Sequence, residues 1–243
     1  AHEIHDLEPH IRKIYHSGIY YPSARHARNP KKILLKLFDL FLQKGGHFEK
    51  QNVNTINFSS DEKPIIKTNL NSYIFDKSVI ACGAFSKKLT DEVNEKIPLD
   101  TERGYHVHFK GHDHLLTRPV IFLNRGFGIT PMEPGLRVVG TVEFGGLNNP
   151  ISKKRIVNLV NNAKYLFPEL TEHYDEWLGF RPTLPDCLPV MGPSKNYKNL
   201  YYSFGHHHLG WTLGAISGKI MARMIAGENT NLDLSVYSSL RFS

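Results

Sequence analysis

The spacing of hydrophobic and polar residues predicts three helices in this chain. The pair Asn29-Pro30 is typical of a helix start, because Asn caps free N–H groups and Pro suits the first helical position, so a helix should span 30–44. Apolar residues cover most of its circumference, which predicts a helix wedged between layers. A second helix is predicted over 152–167 and a third over about 211–226.

Strand-length apolar runs predict two groups of strands. Alternation within 47–75 favours a small antiparallel meander, and the continuous apolar run 79–84 is typical of a strand buried on both faces. Four runs within 104–144 predict a larger, mostly antiparallel sheet, on which the second helix should lie. A strand over 200–204, a polar turn over 205–209 and the third helix complete a mixed α/β architecture.

Composition narrows the class of protein. At 243 residues with 40% hydrophobic residues, the chain can form one large domain or two interleaved small ones, and its net charge of +7 is a mild excess. Its cysteines, Cys82 and Cys187, are far apart, which favours a reducing, cytoplasmic location. No run of 18 apolar residues occurs, and the first residues lack a secretory signal and resemble the interior of a longer chain.

Several functional classes lose support because their motifs are missing. The sequence has no Gly-x-Ser-x-Gly elbow, no P-loop, no zinc-spaced cysteine pairs and no His-Glu-x-x-His, which disfavours hydrolase, kinase and zinc-protease functions. Basic residues occur in scattered short pairs rather than in a stripe, so we predict no nucleic-acid partner.

The stretch 205–218 is the strongest candidate for a binding site. Glycines at 210, 214 and 218 share one helix face, which a backbone or a flat ligand can approach closely. The helix N-terminus offers unpaired N–H groups and a partial positive charge, and a reduced flavin, which gathers negative charge at N1 and O2, suits such a place. The alternative, given about equal weight, is that the glycines let the helix pack tightly on the sheet.

Three successive histidines, 206–208, raise the hypothesis of a metal site. Adjacent side chains in an extended turn point in different directions, and no carboxylate or cysteine stands nearby in sequence at a useful spacing. The sequence therefore predicts no metal site.

Two residues are candidates for holding a carboxylate substrate. Arg181 lies in a Pro- and Gly-rich segment, 178–193, for which we expect an irregular path, and its planar guanidinium could clamp a carboxylate. A structural ion pair with Asp186 is the alternative. Tyr105 opens a predicted strand and could donate a phenolic hydrogen bond to the same carboxylate, although an ordinary strand tyrosine packed on a sheet is the alternative there.

Taken in order, several motifs resemble the FAD-dependent glycine and D-amino-acid oxidoreductases, above all the small subunit of the bacterial D-amino-acid dehydrogenases. The resemblance covers essentially all 243 residues and rests on an ordered set of motifs: Gly18-Ile19-Tyr20-Tyr21-Pro22 with Asn29-Pro30, Val79 to Ser86, Glu102-Arg103-Gly104-Tyr105-His106, Gly179-Phe180-Arg181-Pro182 with Pro185-Asp186, Phe204 to Gly214, and the C-terminal Asp233, Tyr237 and Arg241-Phe242.

The resemblance implies FAD held between two interleaved lobes. The FAD lobe would comprise 26–87 and 181–243, and a substrate lobe with a mixed, mostly antiparallel sheet would comprise 1–25 and 88–180. D-amino acids would be oxidised by hydride transfer from Cα to flavin N5, with electrons passed to a quinone or respiratory acceptor. Such an acceptor would permit peripheral contact with the inner membrane, although no amphipathic basic helix stands out.

The resemblance also implies roles for particular residues. Arg181 would anchor the substrate carboxylate, with Tyr105 on the substrate side. The cofactor would be bound by Val53, Ala81, Gly83, Phe85, Gly205, His206, His207, His208, Leu209, Gly210, Trp211 and Thr212.

The sequence departs from the family pattern in three respects. The opening strand, Gly-x-Gly-x-x-Gly turn and helix that bind the FAD pyrophosphate are missing, so the chain resembles the C-terminal two-thirds of a family protein, as a truncated product, a remnant or a split partner. Phe85 stands where relatives often carry Trp, and His207 where Gly is frequent. We expect poor FAD binding by this chain alone.

Two alternative functions remain open. One is a sarcosine, glycine or imino-acid oxidoreductase of the same fold. The other is a non-catalytic fragment that requires a separate N-terminal polypeptide to complete the FAD site.

Overall fold

A computed structural model describes residues 2–242, which form five α-helices and eleven β-strands. In chain order these are α1 (His2–Leu7), α2 (Pro30–Gln43), β1 (Val53–Phe58), β2 (Pro64–Thr68), β3 (Ser72–Ile74), β4 (Ser78–Ile80), α3 (Ser86–Glu92), β5 (Asp100–Phe109), β6 (Val120–Phe122), β7 (Phe127–Met132), β8 (Gly135–Phe144), α4 (Lys153–Leu166), β9 (His173–Thr183), β10 (Val190–Pro193), β11 (Leu200–Phe204) and α5 (Gly210–Ala226).

These elements form two compact units, each with its own core. Unit 1 comprises the described residues up to 48 together with Arg103–Glu143 and Asn149–Gly179, and unit 2 comprises the rest. Contacts therefore group 26–48 with unit 1, whereas the lobe prediction grouped them with the C-terminal part. The assignment of the lobes to FAD and to substrate stays a prediction.

Unit 1 is built on the sheet of strand order β6-β7-β8-β5-β9, with antiparallel pairing of β6, β7 and β8. Helix α4 packs on this sheet, as its apolar spacing predicted, and buries Ile156, Leu159, Val160, Ala163 and Leu166 in a core shared with the sheet. Strand β9 was not predicted. Its last residues fall in the segment expected to be irregular. That expectation is wrong for 178–183, which lies in β9, and for 190–193, which is strand β10.

Helix α2 follows the prediction in its ends but not in its surroundings. The Asn29 side chain accepts a hydrogen bond of 2.9 Å from the Lys32 N–H, which is the predicted cap. None of the helix residues is buried, and Leu34, Leu35 and Leu37 are each more than half exposed. The prediction of a helix wedged between layers is wrong for this chain, because the described residues bury none of the helix side chains.

Unit 2 contains two three-stranded sheets. The predicted antiparallel meander is confirmed as β1-β2-β3. The second sheet has the order β10-β11-β4, in which β4 runs parallel to β11 and β10 runs antiparallel to it. Buried residues of β4, β10 and β11 form one core together with residues of β1 and the segment that begins with α3.

The strand predicted at 79–84 is shorter than expected and lies at the edge of its sheet. Strand β4 ends at Ile80, a 3-10 turn spans Gly83–Phe85, and the unpredicted helix α3 follows. Ile80 is buried, whereas Val79 is 37% exposed, so the strand is not buried on both faces. Of the helices in the described chain, none is long and hydrophobic enough to cross a membrane.

Candidate functional site

The carboxyl ends of β4 and β11 lie side by side in unit 2. The two strands are parallel, with Ile80 opposite Tyr202. The chain leaves β4 through 81–85 and leaves β11 through 205–209, so both loops start at the same edge of the sheet. In α/β sheets ligands bind at this edge, outside the carboxyl ends of parallel strands. The topology therefore brings together two segments that the sequence assigned to the cofactor.

Backbone geometry at the start of the second loop requires glycine. Gly205 has a φ of +84°, and a Cβ there would lie 2.5 Å from Cδ1 of Leu184. His207 also has a positive φ, +53°, which explains why Gly would be favoured at this position. The His207 N–H donates a 2.9 Å hydrogen bond to the Pro182 carbonyl. This bond ties the loop to the end of β9, next to Arg181.

The three histidines of the loop have different surroundings. The His206 Nε2 lies 2.9 Å from the Ser217 Oγ on α5, and burial lowers the pKa of His206, which favours the neutral ring. The His207 Nε2 lies 2.9 Å from the Glu102 carboxylate, and His207 and His208 touch through their Nδ1 atoms. His206 and His207 thus anchor the loop to two different elements.

The glycine face of α5 is open. A Cβ at Gly214 or Gly218 would meet no atom of the described chain within 4 Å. The cap residue Leu209 makes no side-chain hydrogen bond to the helix, and Trp211 in the first turn is 49% exposed. Tight packing of the glycines on the sheet, the alternative left open by the sequence, is therefore not seen at Gly214 and Gly218. The face is accessible to a flat ligand or to another protein segment.

Arg181 carries an unsatisfied group at the end of β9. Its Nη1 is buried and has no hydrogen-bond partner in the described chain. Asp186, the alternative partner, is paired instead with Arg241, whose Nε lies 2.7 Å from the carboxylate, and this hydrogen bond lowers the pKa of Asp186. The Arg181–Asp186 pair is thus not formed. A buried guanidinium N–H without a partner is costly and points to a missing acceptor.

Phe85 lies beside the same strand. Its ring packs edge-to-face on that of Phe180 at a centroid distance of 6.0 Å, and it remains 57% exposed. The loop after β4, the end of β9 and the loop after β11 therefore meet within unit 2.

The other predicted cofactor residues vary in exposure. Val53 begins β1 and packs partly buried against the unit 2 core, while Ala81 is exposed. Gly83 has a φ of +55° and open space where a Cβ would stand. Leu209 and Thr212 are also exposed. Their contacts with a nucleotide stay predictions.

Tyr105 does not face a ligand. Its side chain is fully buried in the unit 1 core, and its hydroxyl donates a hydrogen bond to Glu143. Burial is the main reason that the pKa of Tyr105 is raised. The proposed hydrogen bond from Tyr105 to a substrate is therefore wrong in this structure, because side chains alternate along β5 and Tyr105 points to the side covered by α4. The alternative, an ordinary strand tyrosine, describes it.

Sequence reasoning missed the acidic partners of this region. Glu102 was noted only as part of a motif, yet it is the partner of His207, from which it is 105 residues distant in sequence. Glu143 was not noted, yet it accepts from Tyr105 and pairs with Arg103 at 3.3 Å. The strand alternation that put Glu102 on the face opposite Tyr105 was the available signal.

Comparison with known proteins decides the family. Residues 1–224 match the FAD dependent oxidoreductase family. The chain belongs to this family. The resemblance read from the motifs is confirmed, and with it an oxidoreductase family whose cofactor is FAD.

Individual relatives agree with the family assignment. The chain is 29% identical over its whole length to a D-amino-acid oxidase of Bradyrhizobium diazoefficiens, and 28% identical over 96% of its length to a D-amino acid dehydrogenase of Vibrio vulnificus. It spans 59% and 58% of these proteins. A glycine oxidase structure from Geobacillus kaustophilus matches 98% of the chain and 64% of the oxidase, with a TM-score of 0.85 at 23% identity. This FAD dependent oxidoreductase chain thus covers less than two thirds of each.

Proposed function

We propose that the protein oxidises D-amino acids and that Arg181 binds the substrate carboxylate. The observation that carries the proposal is the buried Nη1 of Arg181, which lacks an acceptor while Asp186 is paired elsewhere. A carboxylate is the acceptor that a guanidinium fork fits best, and two parallel hydrogen bonds would fix the orientation of the substrate. The names of two relatives, a D-amino-acid oxidase and a D-amino acid dehydrogenase, are the reason to favour this class of carboxylate.

FAD fits the segments that meet near Arg181. The glycine face of α5 is open, Gly83 leaves room beside its backbone, and the first turn of α5 lacks a side-chain cap. These features allow close approach of a flat ring and favour negative charge at the helix N-terminus. When bound, FAD would accept at N5 the hydride that leaves the substrate Cα.

The chain's own residues would hold the substrate and the loop. Arg181 would bind the carboxylate in a partly desolvated place, where a charge-assisted hydrogen bond is strong. The His207 N–H bond to Pro182 would keep the cofactor loop in register with Arg181, and the Glu102–His207 pair would hold that loop on β5. Positioning of this kind converts binding energy into rate.

We further propose that a separate or preceding N-terminal polypeptide completes the cofactor site. The chain spans 59% of the length of its Bradyrhizobium relative, β4 is an edge strand of its sheet, and α2 buries none of its residues. An edge strand and an exposed apolar helix both favour pairing with a further segment. Alone, the chain would bind FAD weakly, and a non-catalytic fragment is the alternative function.

The electron acceptor is proposed to be a quinone or another respiratory carrier, in keeping with the dehydrogenase name of the Vibrio vulnificus relative. Contact with the inner membrane would then be peripheral. Oxidation of glycine, sarcosine or an imino acid is the alternative within the same fold.

Reconstitution tests the function. The chain is mixed with a polypeptide that carries a strand, a Gly-x-Gly-x-x-Gly turn and a helix, free FAD is removed, and yellow colour is measured before and after anaerobic addition of D-alanine. Retained colour that bleaches with D-alanine, but not with glycine, sarcosine or L-proline, supports the proposal. Bleaching by one of the latter alone selects the alternative substrate class. Failure to retain colour contradicts FAD binding by this pair.

Replacement of Arg181 tests the clamp. In the reconstituted protein Arg181→Leu should weaken binding of a carboxylate substrate by about 3 kcal/mol, roughly 100-fold, because charge-assisted hydrogen bonds are lost. Binding is measured by perturbation of the flavin absorption spectrum. Arg223→Leu is the matched control, because the Arg223 side chain is 45% exposed and its Nε lies 3.7 Å from the Glu228 carboxylate, away from Arg181 in sequence. Equal affinity in the Arg181 variant and the control would assign Arg181 to scaffolding.

A further inference from the structure

Strand β5 presents two chemically different faces in unit 1. Tyr105, Val107 and Phe109 are fully buried in the core that α4 covers. His106 and His108 alternate with them and point to the opposite face. Strand β9 lies next to β5 in the sheet and carries Asp175. Two imidazoles and a carboxylate therefore share one face of neighbouring strands.

The ligand atoms of these three residues converge. The Nδ1 of His108 lies 3.2 Å from the Asp175 Oδ2, and the Nε2 of His106 lies 3.8 Å from the same oxygen. All three atoms are within 4.8 Å of one another. In a tetrahedral site with metal–ligand distances near 2.1 Å, neighbouring ligand atoms are about 3.4 Å apart. The side chains would need only small movements to surround an ion.

One of the three is buried directly beside the carboxylate. His108 is 7% exposed, and its Nδ1 lies 3.2 Å from the Asp175 Oδ2 in a contact that lacks the geometry of a hydrogen bond. The unprotonated nitrogen and the carboxylate oxygen are both acceptors. A metal ion between them would take a lone pair from each.

Neighbouring groups hold the three side chains in place. Trp177 stacks on His106 at 4.8 Å, and the ring of Tyr174 lies 5.7 Å from that of His108. The Tyr174 hydroxyl donates a 2.7 Å hydrogen bond to the Pro134 carbonyl, which fixes β9 beside the histidines. Rings that are already oriented lose little entropy when they bind an ion.

The charge state favours coordination. Burial, aided by nearby positive groups, lowers the pKa of His106 to about 4 and also lowers that of His108, so both rings are neutral at pH 7 and offer lone pairs. The Arg137 guanidinium contributes to these shifts and opposes a cation, while the Asp175 carboxylate favours one. The net charge of the three ligands is −1.

We propose that His106, His108 and Asp175 form a binding site for a divalent first-row transition metal ion of the zinc class. Two imidazole nitrogens and one carboxylate oxygen suit such an ion better than Mg²⁺ or Ca²⁺, which prefer oxygen ligands. Three protein ligands leave at least one position open to water or another small ligand. The site lies wholly in unit 1 and does not depend on the proposed D-amino-acid oxidation.

Zinc titration tests the site directly. The purified protein is treated with chelator and titrated with Zn²⁺ alone by calorimetry, together with Asp175→Asn and His108→Gln. Loss of one ligand should weaken the binding of one equivalent of Zn²⁺ by about tenfold to 100-fold. His208→Gln is the matched control, because it removes an exposed histidine outside the cluster and should change affinity less than about twofold.

Two further measurements distinguish loss of the site from loss of the fold. Thermal unfolding without metal should give the same midpoint for Asp175→Asn as for the parent, since Asp175 is 54% exposed. Co²⁺ should give the strong visible bands of a low-coordinate site in the parent and not in the variants. Equal Zn²⁺ affinity in the parent and both ligand variants, or loss of binding only in His208→Gln, would overturn the proposal.

Discussion

Helices α2 and α4 are both 14 residues long, yet they have opposite environments. Helix α4 buries five side chains against the sheet of unit 1, whereas α2, the more hydrophobic of the two, buries none. The apolar spacing of each sequence correctly predicted a helix. It did not predict whether a partner surface is present, because that surface comes from residues far away in the chain or outside it.

This difference has a physical consequence for α2. Large apolar side chains at 42–56% exposure form a patch of the kind that marks an interaction site in soluble proteins. The chain spans 59% of the length of its Bradyrhizobium relative. The comparison of the two helices can be tested by substitutions at matched positions.

The largest difference is expected for leucine truncation. Leu159 on α4 is 1% exposed and packs against Gly140 of β8, so Leu159→Ala should lower the free energy of unfolding by about 2–5 kcal/mol through lost burial and a cavity. Leu35→Ala on α2 removes the same atoms from a side chain that is 53% exposed, and it should change the free energy of unfolding by less than about 0.5 kcal/mol. Urea unfolding measures the free energy of unfolding of both variants. Similar losses would mean that α2 is covered in solution.

A smaller difference is expected at the helix starts. Asn29→Ala removes the side-chain acceptor of the Lys32 N–H and should destabilise α2 by about 1 kcal/mol. Ser152→Ala is the matched change at α4, where the serine side chain makes no cap hydrogen bond. It should destabilise α4 by only a few tenths of the value expected for Asn29→Ala at α2. Hydrogen exchange of the first-turn amides reports each helix separately. If Ser152→Ala reduced the exchange protection of the α4 amides more than Asn29→Ala reduced that of the α2 amides, the assigned caps would be contradicted.

The smallest stability effect is expected for charge on the exposed face. Leu34→Lys with Leu37→Lys should change the free energy of unfolding by less than about 0.5 kcal/mol per site, since both side chains are already in water. We expect the apolar patch of α2 to promote self-association at high protein concentration, and the double substitution should lower the self-association measured by sedimentation velocity. Val157→Lys on the exposed side of α4 is the control and should leave association unchanged. If self-association were unchanged in the double variant, the apolar face of α2 would not be an interaction surface between copies of the chain.

The candidate site shows the same division between local pattern and distant partners. The sequence correctly predicted the strand and the turn that precede α5. It also predicted Ala226 as the last residue of α5, because a glycine follows it and glycine commonly ends helices. It selected Arg181 because a guanidinium among apolar neighbours needs a partner. It could not show that Asp186 is paired with Arg241, 55 residues away, which left the Arg181 Nη1 without an acceptor.

Tyr105 shows why a motif alone was insufficient. Its residue type suits a substrate hydrogen bond, but strand alternation turns it toward α4 and leaves His106 and His108 on the other face. In the sequence, the adjacent histidines 206–208 raised the hypothesis of a metal site, but no carboxylate lies near them along the chain. The three side chains that do converge are His106, His108 and Asp175. They meet because β5 and β9 are neighbours in the sheet, and the spacing of residues along one strand does not reveal which strand lies next to it.

The sequence by itself predicted the three longest helices, most strands and the membership of a flavin-dependent family, because these depend on local conformation or on ordered motifs. Only the tertiary structure decided which faces are covered, which charged groups are paired and which side chains converge. Those outcomes depend on strand order and on contacts between residues far apart in sequence, so the same apolar or polar pattern can end in a core, in water or at a binding site.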